Sequence, residues 1–169
     1  MSSGEVHLDY ETKALESPHE HKDELRLWLR LLTCTNLVEV GIRKRLAEQF
    51  DTTLPRFDLL AQLERAPNGM ALGDLSRRMM VTNGNVTGLV DRLVQQGLLK
   101  RTPQPQDRRV QIVKLTPKGH SQFSKMAAAH ENWIAELFGQ LSAKEINELL
   151  RTLGKLKESI KSVTKPETV

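Results

Sequence analysis

The sequence predicts a mainly α-helical fold with one small β-wing, a winged helix-turn-helix unit flanked by helices at both ends. Three observations predict it. Apolar residues recur at helical spacing through most of the 169 residues. The period switches to strand-like alternation only between Leu98 and Leu115. Charge is also segregated. Residues 1–25 hold seven acidic against two basic side chains, and residues 76–118 hold nine basic against two acidic, although the whole chain carries only +4.

The elements follow in order. Residues 1–20 lack periodicity and read as an acidic arm. From Asp23 to Phe50 one apolar stripe runs Leu27, Leu31, Cys34, Val38, Ile42, Leu46, and a second runs Leu25, Trp28, Leu29, Leu32. A helix apolar on two sides needs two neighbours, and one of them can be another subunit. Pro55 fits an early helical turn, with Phe57, Leu60, Ala61 and Leu63 as the buried face. Ala66-Pro67-Asn68-Gly69 is a turn by composition. Leu72, Leu75, Met79 and Met80 predict a third helix. After the break at Val81, Thr82 caps a fourth, which carries Val86, Leu89, Val90, Leu93 and Val94 and closes at Gly97. Leu98–Thr102 and Val110–Leu115 read as strands around a polar hairpin tip. Thr116-Pro117 opens a helix carrying Phe123, Met126, His130, Trp133 and Leu137. Ser142 and Glu145 form a capping box before Ile146, Leu149, Leu150, Leu153, Leu156 and Ile160.

Composition narrows the function classes. With 38% hydrophobic and 27% charged residues a packed core is expected rather than disorder. One cysteine excludes a disulfide framework and a Cys-rich zinc site. No apolar run approaches the roughly twenty residues of a membrane span, and the first twenty residues are too polar for a secretion signal. The expectation is a cytoplasmic protein with no membrane partner. No nucleotide-binding glycine loop, zinc-protease motif or nucleophile motif is present, so no enzyme and no cofactor are expected. His19 and His21 lack an evident third ligand, and no metal is expected.

Two helices joined by a short turn and followed by a basic ribbon suit duplex DNA. Leu72–Met80 would brace across the backbone while Thr82–Gln96 enters the major groove. The hydroxyls, amides and free N–H groups of its first turn can address base edges and phosphates. Gly84 and Gly88 leave room for close approach, and arginines at the ribbon tip suit a narrow minor groove. The expected DNA contacts are Arg77, Thr82, Asn83, Gly84, Asn85, Thr87, Arg92, Arg108 and Arg109.

The stretch Leu75-Ser76-Arg77-Arg78 through Thr82-Asn83-Gly84-Asn85-Val86-Thr87 to Asp91-Arg92-Leu93 resembles the MarR (multiple antibiotic resistance regulator) family. So do Gly97-Leu98-Leu99-Lys100-Arg101, Asp107-Arg108-Arg109 and Leu115-Thr116-Pro117-Lys118-Gly119, and the resemblance extends over residues 23–162. It implies a bacterial transcriptional regulator, a homodimer with interlocked terminal helices on a pseudo-palindromic double-stranded DNA site. The family's Asp-x-Arg wing pattern falls on Asp107 and Arg109, which implies that Asp107 orients the arginine. Ser76 stands where the family usually has Ala, and Ala71 stands where a capping hydroxyl is common.

The domains expected are an arm over 1–22, a dimerisation helix over 23–52, the winged unit over 53–118, C-terminal dimerisation helices over 119–162, and a tail over 163–169. The expected function is a repressor released from its operator by a small molecule. An aromatic or phenolic acid, or its CoA thioester, suits an aromatic side chain beside a guanidinium. The candidate effector residues are Arg26, Trp28, Arg30, Asn36, His130 and Trp133. Taken singly, Trp28 reads as core, and Arg43 and Arg45 as a solvated face. Two alternatives stand beside this reading. One is a redox regulator acting through Cys34, which otherwise packs as a small hydrophobe. The other is a winged-helix protein-interaction module that does not bind DNA.

Overall fold

The computed structural model describes residues 22–104, 107 and 109–164. The chain divides into two units, residues 1–131 and 132–169. The first contains α1 (Lys22–Phe50), α2 (Leu54–Glu64), β1 (Met70–Ala71), α3 (Leu72–Met79), α4 (Asn83–Gln95), β2 (Leu99–Pro103), β3 (Gln111–Leu115) and the start of α5 (Pro117–Leu137). The second contains the end of α5 and all of α6 (Ala143–Thr164). The expected arm and tail, apart from their inner residues, lie outside the described residues, as do Arg108, His19 and His21.

The core of the first unit forms where the apolar stripes of several elements meet. Ile42 and Leu46 of α1, Phe57, Leu59, Leu60 and Leu63 of α2, and Leu75 of α3 are buried, as are Val86, Val90 and Leu93 of α4. Leu99, Val113, Leu115 and Met126 join them. Each large side chain removed from water contributes about 1.5–3 kcal/mol. The strands form one antiparallel sheet in the order β1-β3-β2, with Arg101 opposite Val113 and Met70 also opposite Val113 on the other edge. The sequence pattern indicates β2 and β3 but not β1, whose two residues are too few to show a period.

Capping chemistry sets the helix ends as expected. Thr82 Oγ1 accepts the Asn85 N–H at 3.4 Å. Gly97 ends α4 at φ +71°, with Leu98 N–H donating to Leu93 O and Gly97 N–H to Val94 O, each at 2.9 Å. Ala71 gives α3 no side-chain cap.

The α3–α4 turn departs from expectation. Met80 does not extend the apolar face of α3. It ends the helix in the left-handed region at φ +54° and is 93% exposed. Ser76 is buried, and its hydroxyl donates to Val81 O at 2.6 Å. That bond ties the turn down where Met80 costs conformational energy.

Two other side chains depart from the reading. Trp28 is 58% exposed rather than core, and Cys34 is exposed rather than packed. Leu25, Leu27, Leu37 and Val40 are exposed with them. Among the described residues of the α1 stripe, Ile42 and Leu46 at its C-terminal end are the fully buried ones.

In the second unit Trp133 is buried, yet α6 buries none of its residues. Ile146, Leu149, Leu150, Leu153, Ile160 and Val163 all face outward. The predicted capping box is present. Ser142 donates its N–H and hydroxyl to Glu145 Oε2 at 2.8 and 2.6 Å, and Glu145 N–H donates back to Ser142 Oγ at 3.3 Å. The Ser142 hydroxyl first, then its N–H, holds the Glu145 carboxyl below its usual range. Because the folded value is lowered, the stabilisation is present above the unfolded value near 4.5 and is lost as pH falls through the folded one. The Glu145→Gln variant is therefore expected to flatten the acid limb of a helicity-against-pH curve; an unchanged limb would deny the box any role in α6.

Candidate nucleic-acid interface

The outward face of α4 is polar and bare. Thr82, Asn83, Gly84, Asn85, Thr87, Gly88 and Arg92 are exposed, and a Cβ built on Gly84 or Gly88 meets nothing within 4 Å. Nothing inside the protein therefore requires glycine at either place, although each weakens the helix by about 1 kcal/mol relative to alanine. Thr87 donates its hydroxyl to Asn83 O at 2.9 Å, which leaves that oxygen as an acceptor toward solvent. Arg77 is exposed and paired with Asp74 on its own helix.

The wing tip is built by Asp107. Its Oδ1 accepts the Arg109 N–H at 2.9 Å, its carbonyl accepts the Val110 N–H at 3.0 Å, and Val110 O accepts the Gln104 N–H at 2.8 Å. An Asx turn of this kind presets the backbone from which the exposed Arg109 side chain projects. Arg101 of β2, which the sequence reading did not single out, reaches α4 and pairs with Asp91 at 2.7 Å. It ties the wing to the helix beside it.

The other end of α4 is clasped by the start of α5. Thr116 N–H donates to Leu98 O at 3.0 Å, Thr116 Oγ1 donates to Gly97 O at 2.7 Å, and Lys118 Nζ donates to Gln96 O at 2.8 Å. Thr116 Oγ1 also accepts the Gly119 N–H at 3.0 Å, the expected N-cap. A Cβ on Gly119 would lie 2.1 Å from Leu98 O, so only glycine permits this approach.

Residues 52–110 match the MarR family. The transcriptional activatory protein BadR of Rhodopseudomonas palustris is 31% identical over 154 residues, covering 88% of this chain and 87% of BadR. This chain belongs to the MarR family. A crystal structure of a MarR family transcriptional regulator from Silicibacter pomeroyi is 33% identical, with a TM-score of 0.72, and covers 85% of this chain and 99% of that one. A cysteine-to-serine mutant of MarR from E. coli, complexed with operator DNA, is 26% identical with a TM-score of 0.68, covering 82% and 99%. The MarR family comprises transcriptional regulators, not enzymes. Among the described residues no helix is long and apolar enough to cross a membrane.

The effector candidates of this MarR-family chain are scattered. Arg26 and Arg30 line a hollow of about 200 Å³ on the first turns of α1 with Asp23 and Leu27. Trp28 and Asn36 lie exposed outside it. His130 instead lines a cavity of about 510 Å³ among α2, α3 and α5. Its aromatic wall is Phe57, whose ring centroid lies 5.6 Å from Phe123 and 4.9 Å from His130. Asp58, Gln62, Arg65, Arg78 and Met79 complete the lining with Ala61 and Ala127. The sequence reading missed these residues, although Asp58, Ala61, Gln62 and Arg65 recur on one helical face.

The cavity is electrically polar. Arg65, the residue that caps the end of α2, lies seven residues beyond Asp58, or roughly 10 Å along the helix axis. Arg78 also borders a second hollow beside Ala66, at the Arg65 end. Although much of Asp58 reaches solvent, the enclosure of its other side and then the nearby Glu39 raise its carboxyl above the usual range, against His130 and Arg43.

Proposed function

We propose that this MarR-family chain is a homodimeric repressor that binds a pseudo-palindromic operator and is released by a small aromatic acid. The observation that carries the DNA reading is the bare, glycine-bearing face of α4 beside the Asp107–Arg109 turn. Arg77, Thr82, Asn83, Gly84, Asn85, Thr87, Arg92 and Arg109 would contact DNA from this surface, and Arg108, which lies outside the described residues, remains a candidate from the sequence. The E. coli relative's operator complex supports the same use of the fold. Residues 23–52 and 119–162 would hold the dimer, because the unburied apolar stripes of α1 and α6 need a cover.

The α2–α3–α5 cavity would take the effector. Its volume lies in the range of small-molecule sites. A ring fits against Phe57, Phe123 and His130, a carboxylate suits Arg65 and Arg78, and a phenolic hydroxyl suits the Asp58–His130 end. Of a CoA thioester, the cavity would hold only the aroyl group.

The test is a mobility-shift assay on the DNA upstream of the protein's own gene, with 4-hydroxybenzoate and benzoyl-CoA in separate arms and a reporter fused to that promoter. Operator binding with release by either compound and a rise in reporter output is expected. A fall in output would make the chain an activator, as the name of BadR states for that protein. Failure to bind any duplex would overturn the DNA reading.

Gly88→Ala separates the protein's needs from those of DNA. It is expected to stabilise the fold by about 0.5–1 kcal/mol in thermal melts while weakening operator binding by about tenfold. A stabilised variant with full affinity would mean that no DNA backbone or base approaches there.

A further inference from the structure

We propose that the Met79 side chain is the movable wall between the α2–α3–α5 cavity and the surface of α4, and that it carries the effect of a bound ligand to Asn85 and Arg92. This rests on the reading of that cavity as the effector site.

Met79 is the last residue of α3. It lines the cavity together with Phe57, Asp58 and His130. It also lines a separate groove of about 400 Å³ along the exposed Gly84–Gly88 side of α4, bordered as well by Pro55, Asn85 and Arg92. No other described residue borders both spaces. A thioether side chain is unbranched, has three rotatable bonds and makes favourable contacts with aromatic rings, so it repacks readily when a ring arrives.

The groove can receive it. A Cβ built on Gly84 or Gly88 meets open space beyond the helix's own adjoining backbone, so no side chain on α4 fills the groove at those two positions. The backbone beside Met79 cannot absorb the movement instead. Ser76 Oγ donates to Val81 O at 2.6 Å, Val81 N–H donates to Ser76 O at 3.2 Å and Met80 N–H donates to Arg77 O at 3.3 Å, which pins the turn on both sides. A ring in the cavity therefore favours the groove-side rotamer, and that rotamer occupies space beside Asn85 and Arg92. DNA held by those two residues favours the opposite rotamer. Differential occupancy of this kind is what coupling between two sites requires.

A cavity-filling cycle in the full-length protein tests the wall without any ligand. Ala127→Phe places a ring in the cavity from α5, and operator affinity is read by fluorescence anisotropy at fixed salt. The filled variant is expected to bind operator about tenfold more weakly. In the Met79→Ala background the same filling is expected to cost less than about threefold, because the ring no longer has a wall to push. Ala61→Phe fills the same cavity from α2 if Ala127→Phe fails to melt cooperatively. An equal cost of filling in both backgrounds, or a filled variant with full affinity, overturns the proposal.

A second arm uses 4-hydroxybenzoate, with its binding measured by calorimetry in the absence of DNA. Release of DNA from the parent but not from Met79→Ala, each at a compound concentration that saturates it by calorimetry, supports the wall. Equal release from both overturns the wall and leaves the effector site standing. No binding to either protein overturns the effector reading, and the cycle still decides whether the wall exists.

Discussion

Replacing Arg109 by alanine is expected to weaken operator binding by about 1–3 kcal/mol, roughly fivefold to 150-fold, with no change in thermal stability. The side chain is exposed and contributes nothing to the core, so its removal leaves the wing folded. Its charge also displaces counterions, so the slope of log affinity against log salt is expected to fall by about 1. Asp107→Ala keeps the guanidinium but removes the acceptor that bonds the Arg109 N–H at 2.9 Å. Its loss of affinity is expected to be smaller, with the salt slope intact, because the charge remains and only its presentation loosens. Anisotropy titrations at several salt concentrations read both quantities. Full affinity for Arg109→Ala across that range would remove the wing from the interface.

The double variant Leu149→Asp, Leu153→Asp is expected to give a monomer and to lower operator affinity by about 10²–10⁴, because two half-sites are then bound independently. Both side chains are exposed in the single chain, on one face of α6 and four residues apart. Aspartate there costs an isolated chain little. In a dimer that covers this face it buries two unpaired charges per subunit, which is strongly unfavourable. Light scattering coupled to size exclusion gives the mass, and the melt of the winged unit provides the control. A variant that remains dimeric, or a parent that is already monomeric, would place the dimer elsewhere or remove it.

Local chemistry is legible in this sequence, and long-range pairing much less so. Thr82, Thr116 and the Ser142–Glu145 pair are found from spacing alone because each cap is closed by residues within three positions of it. Gly97 is found for the same reason. Strand β1 is invisible because Met70 and Ala71 become a strand only by meeting Val113 and Ile112 some forty residues later. Ser76 looks like a mild change until its hydroxyl is seen to reach across the turn to Val81. Trp28 and Cys34 show the limit of hydrophobic periodicity. The stripe is real, but a stripe does not say whether its cover is the same chain. The cavity was hidden for another reason. Phe57, Arg78 and Phe123 come from three helices, and no one-dimensional spacing joins them.

The clasp of Thr116 and Lys118 on Gln96 and Gly97, just past the end of α4, has a mechanical consequence. With Leu98 O pressed against Gly119, the two helices share a joint that has no slack. Any swing at the root of α5 becomes a swing at the far end of α4, undiminished by a flexible loop. Were α4 to grip a duplex as proposed, the angle of that grip would be geared to α5.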